Sequence, residues 1–258
     1  MRYVAVVVVL LGCGKRASEP TAGSASGSGS PVSVGSGSGR VVEPMADENP
    51  TVAVVKAAFG GNVPAFPQLS KDGNTAAVEL DTQVGLTSAT TYAVAFVGTA
   101  GAPVASTLVD GRLAQVLLEG SSAPGKPAAI DTAALAKTAG SITRRLQDEG
   151  FSAFEHKIEE VAPGEPIAAG PAKLSLAEAD DGSLAITVID DKGKQVTKDA
   201  IKPVDMGKVA DLECVSQPIA RHAWFDTARR RVLVEVGWNA GPDQCNAPDA
   251  LYRLYAVP

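Results

Sequence analysis

Apolar and polar residues alternate along much of the chain after residue 50, which is the pattern of strands that bury one face. In the stretch 75–80, Ala76, Val78 and Leu80 share one side and follow an Asp-Gly-Asn turn. The sequence therefore predicts a β-rich domain. Further strands are predicted at residues 91–97, 104–109, 113–118, 151–158, 173–179, 183–189, 219–225, 231–238 and 251–257.

Short polar segments separate three pairs of these strands and predict hairpins. Asp, Asn and Gly favour tight turns, so two of the three segments also have turn chemistry. Hairpins imply antiparallel sheets. The three segments are Asp110-Gly111-Arg112, Asp180-Asp181-Gly182 and residues 226–230.

One segment has the apolar period of a helix. Between residues 132 and 149, apolar side chains recur every three or four positions, at Leu135, Ala139, Ile142 and Leu146. Asp131 is suited to cap the N-terminus of this helix, and Gly150 stands where a left-handed residue ends many helices. We expect the helix to cover one face of a sheet.

The expected fold is a single β-rich α+β domain over residues 50–258, with antiparallel sheets and one main α-helix at about 132–149. The segment 52–59 is apolar without a clean period, so strand and helical turn both stay open. Residues 162–171 contain three prolines and two glycines and predict a loop.

The first thirteen residues have the order of an export signal. Arg2 supplies a positive charge, residues 4–11 form an apolar run, and the small residue Gly12 precedes Cys13. The run is far shorter than the roughly 20 apolar residues of a membrane-spanning helix. Residues 10–13 also resemble the lipobox of bacterial lipoproteins. This resemblance implies that residues 1–12 are a cleaved signal peptide and that Cys13 carries fatty acyl chains such as palmitate; an uncleaved or freely secreted form is the alternative.

Residues 13–49 are expected to be the lipidated cysteine and a disordered linker. Gly, Ser and other small residues dominate from Gly14 to Gly39, without any apolar period. A flexible coil of about 26 residues spans roughly 25 to 30 Å, enough to hold a domain clear of a membrane surface. Gly14 occupies the position where aspartate signals inner-membrane retention in some bacteria, which favours the outer membrane. The expected location is thus the cell envelope, outside the cytoplasm.

The charge of the chain argues against one class of partner. It has 23 Lys and Arg against 29 Asp and Glu, and removal of residues 1–12 takes away only Arg2, which leaves 22 basic residues and a net charge of −7 with His neutral. Proteins that bind nucleic acid present a basic face. We therefore expect a membrane partner through the lipid anchor and an envelope protein partner, and no nucleic acid.

The hydrophobic content of 45% is too high for wholesale disorder.

The cysteine count is consistent with export. Once Cys13 is lipidated, Cys214 and Cys245 remain, and an even pair in an exported protein usually forms a disulfide. The bridge would close a loop of about 31 residues, which the chain-entropy model values at roughly 3 to 4 kcal/mol. Two free buried thiols are the alternative.

Sequence motifs of catalysis and cofactor binding are missing or incomplete. Residues 120–126 (GSSAPGK) match the core of a phosphate-binding loop, but Pro127 stands where Ser or Thr should hold magnesium. HExxH, GxSxG and SxxK do not occur, and His156 and His222 are the only histidines. We expect no cofactor and no metal site, and the missing motifs favour a function without catalysis.

A group of aromatic residues near the C-terminus is a candidate ligand or partner surface. Aromatics make up only 5% of the chain, so their concentration here is informative. Core packing is the other interpretation. His222 lies on a predicted strand, where it could pair with an acid. The candidate residues are His222, Trp224, Trp238, Tyr252 and Tyr255.

Two resemblances follow from these patterns. The segment FPQLSKDGNTAAVEL (66–80) resembles a strand-turn-strand unit of TolB-type and WD40-like propeller repeats, and AWFDTARRRVLVEV (223–236) resembles it less closely. A propeller needs at least four blades, so a partial propeller-like all-β fold is the alternative architecture. The signal, lipobox, Gly-Ser linker and closing GPDQC (241–245) are together similar to uncharacterised bacterial lipoproteins, a resemblance that implies no activity.

Three functions are compatible with the sequence. The first is a lipid-anchored cell-envelope protein that acts without catalysis as a binding or assembly module. The second is an envelope hydrolase whose active site matches no short motif and uses His222 or a pair of carboxylates. The third is a propeller-like interaction domain.

Overall fold

The computed structural model describes residues 49–83, 89–99, 103–122, 130–158, 161–209, 212–239 and 248–257. The predicted signal peptide, Cys13, the linker, Cys245 and most of the segment 120–126 lie outside these residues. The described helices are α1 (Pro50–Ala58), α2 (Gly111–Ser122) and α3 (Thr132–Asp148). The described strands are β1 (Gln68–Leu69), β2 (Thr75–Gln83), β3 (Thr90–Gly98), β4 (Val104–Val109), β5 (Ser152–Ala153), β6 (His156–Ile158), β7 (Ile167–Ala169), β8 (Ala172–Glu178), β9 (Leu184–Ile189), β10 (Gln195–Ile201), β11 (Val204–Val209), β12 (Leu212–Asp226), β13 (Arg231–Asn239) and β14 (Leu251–Ala256).

The described strands form three antiparallel sheets, and none of these sheets closes into a barrel. The first sheet has the order β4-β3-β2-β1-β5, and the third has the order β10-β9-β8-β7. The second sheet has the order β11-β12-β13-β14, with β6 paired to β12. The prediction of a β-rich fold with antiparallel sheets is confirmed.

Helix α3 covers the outer face of the first sheet, as its apolar period predicts. Its buried residues Leu135, Ala139, Ile142 and Leu146 form one cluster with residues of α1, α2 and β3. Asp131 Oδ1 accepts a hydrogen bond from Ala134 N at 2.9 Å, and Gly150 has a φ of +64°, so both predicted caps are confirmed.

The three sheets stack behind the helices as successive layers. Apolar residues of the first sheet, such as Val78, pack against Leu233 and Leu254 of the second. On the other face of the second sheet, Val234 packs against residues of the third sheet such as Ile186. Strand β13 is therefore buried on both faces and lies at the centre of the domain.

The expectation of one main helix was only partly right, because the predicted strand 113–118 is part of helix α2. The Asp110 carboxylate accepts a hydrogen bond from Leu113 N at 2.8 Å, so this aspartate caps a helix and does not start a hairpin turn. Ala114 and Leu117 are buried while Val116 is 37% exposed, so burial follows a helical period. The sequence does not reveal this period, because a short apolar run is compatible with a strand as well as a helix.

Three smaller differences concern segments with mixed signals. Residues 52–59, whose sequence is compatible with a strand or a helical turn, lie largely in α1. There Asn49 Oδ1 accepts a hydrogen bond from Thr51 N at 2.9 Å, and Pro50 occupies the first turn. The predicted loop 162–171 contains the short strand β7. The polar strand β10 was not predicted, because it lies at a sheet edge and exposes much of its length.

The predicted hairpins over 173–189 and 219–238 are confirmed as the β8–β9 and β12–β13 pairs. Gly182 has a φ of +75° in the first of these turns, a conformation that glycine adopts without strain.

Of the helices in the described ranges, none combines the length and the apolar character that crossing a bilayer requires.

Candidate binding surface

The five predicted surface residues all lie on strands of the second sheet, but on two different faces. Trp238 and Tyr255 belong to the core between the second and third sheets, and each is 8% exposed. Trp238 Nε1 donates to Asp249 O at 2.8 Å, and the Tyr255 hydroxyl donates to Asp199 Oδ2 at 2.9 Å. Both polar groups therefore have partners inside the fold, as buried aromatic residues require.

The other three predicted residues lie on the opposite face of the second sheet, which the first sheet covers only in part. Trp224 and Tyr252 are partly buried against the cluster that contains Leu233 and Leu254. The adjacent rings of His222 and Trp224 have centroids 5.7 Å apart. We call the half-exposed part of this face the rim surface; it consists of Arg221, His222, Trp224, Glu235 and Tyr252.

His222 and Glu235 form the polar centre of the rim surface. They are directly opposite each other in the β12–β13 register, and His222 Nδ1 donates to Glu235 Oε2 at 2.9 Å. The His222 side chain is 43% exposed and that of Glu235 is 13% exposed. Because Nδ1 is occupied by the carboxylate, Nε2 is the ring nitrogen left for a ligand.

Tyr252 lies on the other side of Glu235, directly opposite it in the β13–β14 register. Its hydroxyl donates to Glu79 O at 3.4 Å. Burial, followed by the negative charge of Glu235, raises the pKa of Tyr252 above its ordinary value. The phenol is therefore a neutral hydrogen-bond donor over the whole physiological pH range.

A β-bulge places Arg221 beside His222. The register of the β12–β13 pair shifts between Ala220 and His222, so Arg221 is the extra residue. Its guanidinium lies over the backbone of Gly237, where a methyl group would be 2.6 Å from Arg221 Cζ and closer still to Nε. Gly237 is buried as a result, and only glycine permits this approach.

Arg221 was not singled out in the sequence, and the residues of its own strand give no signal for it. A bulge adds one residue to an ordinary strand pattern, so its position depends on the pairing register. Gly237 interrupts the run of strand-forming residues in β13 and is a weak sign of close contact. Glu235 is the acid that pairs with His222.

The rim surface has acid-base and anion-binding groups but lacks an assembled catalytic centre within the described ranges. The imidazole can exchange a proton at Nε2, and the guanidinium can bind an anion. No hydroxyl or thiol of a described residue is hydrogen-bonded to the His222 ring. No cluster of three metal-binding side chains occurs in the part of the chain that the structure describes.

A second polar depression lies at the β1–β2 turn and is satisfied by its own residues. Asp72 accepts hydrogen bonds from Ser70 Oγ at 2.7 Å, from Asn74 N at 3.0 Å and from Asn74 Nδ2 at 2.9 Å. The bond from the Asn74 backbone contributes most to lowering the pKa of Asp72 to about 2. These bonds form an Asx-type turn, and we assign no ligand to it.

The described chain is thus a layered antiparallel β domain with helices on one outer face and an imidazole-carboxylate pair on a partly covered sheet. Comparisons with protein-family models, with curated protein sequences and with solved structures find no match to this chain. A proposal about function therefore depends on the residues themselves.

Proposed function

We propose that the protein is a lipid-anchored cell-envelope binding module that presents the rim surface to its partner. The sequence of residues 1–49 supports the attachment, with Cys13 as the lipidated residue and the following linker as a flexible tether. The observation that carries the binding function is the adjacent, half-exposed pair of His222 and Trp224 on a rigid strand. A tethered domain of this kind requires no catalytic group.

The features of the rim surface are those of binding sites in general. Trp, Tyr and Arg are enriched where proteins bind ligands, since their large side chains combine apolar area with polar groups. All five members lie on three neighbouring strands of one sheet, which holds them in fixed relative positions.

The attachment can be tested by the intact mass of protein from the membrane fraction. We expect a chain that begins at Cys13 and carries acyl chains, and a Cys13→Ala variant that leaves this fraction. An unmodified chain that begins at Met1 would contradict the lipid anchor.

The binding function can be tested in cells by site-specific photocrosslinking. A photoreactive amino acid replaces Trp224 in one full-length variant and Val104 in a matched control, because Val104 is 61% exposed on β4, at the edge of the first sheet. We expect a discrete adduct from position 224 and none from position 104. Equal crosslinking from both positions, or none from position 224, would contradict a binding surface at the rim.

A hydrolase is the second candidate, favoured by one observation. The carboxylate of Glu235 accepts a hydrogen bond from His222 Nδ1 and so orients the ring, which is how a general base is arranged in many enzymes. If His222 acted in this way, its replacement by glutamine would abolish hydrolysis of model esters by the purified protein. The propeller-like interaction domain stays a prediction from the resemblance of residues 66–80.

A further inference from the structure

Arg221 differs from most other arginines of the described chain in having no partner. Arg145 and Arg253 each form an ion pair with a carboxylate, and Arg229 bonds both Asp226 and a carbonyl oxygen. Arg230 and Arg231 donate to backbone carbonyl oxygens. Within the described ranges, Arg221 has neither an ion pair nor a hydrogen bond to another side chain or to the backbone.

The side chain of Arg221 nevertheless packs closely against the backbone of Gly237. The bulge in β12 sets the direction of its side chain, and the bare backbone of Gly237 supports the guanidinium from below. A guanidinium held in place loses less conformational entropy when it binds a ligand. Its five N–H groups have no acceptor among the described residues.

His222 is the next residue in the sequence and lies on the same face; when its ring is protonated, Nε2 is a second donor beside this arginine. Its Nδ1 atom bonds Glu235, so Nε2 is the nitrogen that can bond a ligand. The negative charge of Glu235 offsets one positive charge at this site. With His222 protonated, the three side chains together have a net charge of about +1, which suits a ligand with one negative charge.

From this arrangement we propose that Arg221 and His222 bind a carboxylate group, with Trp224 and Tyr252 contacting the apolar part that carries it. The planar guanidinium matches the two oxygens of a carboxylate. A phosphate dianion fits less well, because Glu235 is only 13% exposed and lies beside the site. This inference rests on the proposed binding function and specifies its ligand chemistry.

A peptide C-terminus and a small free acid are the two sources of such a carboxylate, and calorimetry with three probes distinguishes them. The probes are an N-acetylated tripeptide with a free C-terminal carboxylate, the same peptide as its C-terminal amide, and acetate. The protein is the full chain purified from membranes in detergent. We expect the free peptide to bind at least about tenfold more tightly than its amide, as loss of one charge-assisted hydrogen bond implies. Binding of acetate as tight as that of the peptide acid would indicate a small acid as the source.

Matched variants test the assignment to these residues. Arg221→Gln should weaken binding of the acid by at least about tenfold, and Gly237→Ala should weaken it by displacing the guanidinium. Arg144→Gln is the control, since Arg144 is an exposed arginine on α3.

Tryptophan emission gives a second readout of binding. The chain has two tryptophans, and Trp238 is buried on the other face of the second sheet. The change in emission on binding should therefore disappear in Trp224→Phe.

Several results would overturn the carboxylate assignment. These are equal binding of the acid and the amide, an equal loss in the Arg144→Gln control, tighter binding of inorganic phosphate than of either carboxylate, or no binding of any probe. If photocrosslinking at position 224 still gives its adduct, such a result rejects the ligand chemistry and leaves the binding function intact. If the adduct is missing too, both proposals fail.

Discussion

Arg231 donates a hydrogen bond from Nε to the carbonyl oxygen of Gly73 at 2.6 Å, and so joins two turns that are 158 positions apart in the chain. The same guanidinium donates to Asn74 Oδ1 at 3.0 Å. The neighbouring Arg229 donates to Leu69 O at 3.3 Å. The β1–β2 turn is thereby attached to the β12–β13 hairpin, and these are the two segments whose sequences resemble a propeller repeat.

We predict that Arg231→Lys destabilises the domain. Lysine keeps the charge but cannot donate from several fixed nitrogens at once, so the carbonyl oxygen of Gly73 and the side chain of Asn74 lose hydrogen bonds. The free energy of unfolding should fall by about 1 to 3 kcal/mol, measured by urea denaturation. Arg112→Lys, at an exposed position of α2, is the control and should stay within about 0.5 kcal/mol of the parent.

The pKa of Asp72 predicts how acid affects the same turn. This pKa is about 2 in the folded protein, against an ordinary value of 3.8 for aspartate, so the folded state favours the ionised carboxylate. Its stabilising contribution is complete above pH of about 5 and is lost as the pH falls through the folded value. The difference in unfolding free energy between the parent and Asp72→Asn should therefore be constant near neutral pH and shrink between about pH 4 and 2.

The titration of other acidic residues does not affect this comparison between the parent and Asp72→Asn. Glu155 and Asp181 also have lowered pKa values, chiefly through hydrogen bonds to Thr227 and Ser183 respectively. They titrate in both proteins alike, so the difference isolates Asp72. A difference that grows as the solution becomes more acidic would contradict the lowered pKa.

Local sequence signals predicted those elements whose structure is decided locally. Helix α3 has an uninterrupted apolar period and both caps, and the β8–β9 turn contains Gly182 where a positive φ is needed. The prediction of a hairpin turn at Asp110 was wrong, because aspartate is common both at the start of turns and at the N-caps of helices. Only the packing of Ala114 and Leu117 on the first sheet decides between these two roles.

The candidate site was predictable only in part, because its composition depends on pairing between distant strands. Alternation along β12 places His222 and Trp224 on one face. The position of Tyr255 on the other face follows from the β13–β14 register, and that of Arg221 follows from a bulge. Neither register nor bulge is determined by the residues of one strand alone.

Strand β13 should be unusually sensitive to truncation, because it is buried on both faces. Leu233 is 0% exposed between the first and second sheets, and Val234 is 0% exposed between the second and third. We expect Leu233→Ala to lower the free energy of unfolding by about 2 to 5 kcal/mol. Val104→Ala removes apolar atoms from an exposed position of β4 and should cost less than about 0.5 kcal/mol. Equal effects in urea denaturation would contradict the layered arrangement.

The predicted disulfide between Cys214 and Cys245 has a test that is independent of the rest. Cys214 is 1% exposed, so protection from alkylation in the native state would not separate a disulfide from a buried thiol. Alkylation in urea separates a disulfide from a buried thiol, because unfolding exposes free thiols but leaves a disulfide closed. We expect no alkyl group on either cysteine in urea until a reductant is added. Cys214→Ser should then lower the unfolding free energy by roughly 3 to 4 kcal/mol, the value for a loop of about 31 residues. Alkylation in urea without a reductant would instead establish two free thiols and remove the main chemical argument, apart from the lipobox, for an exported protein.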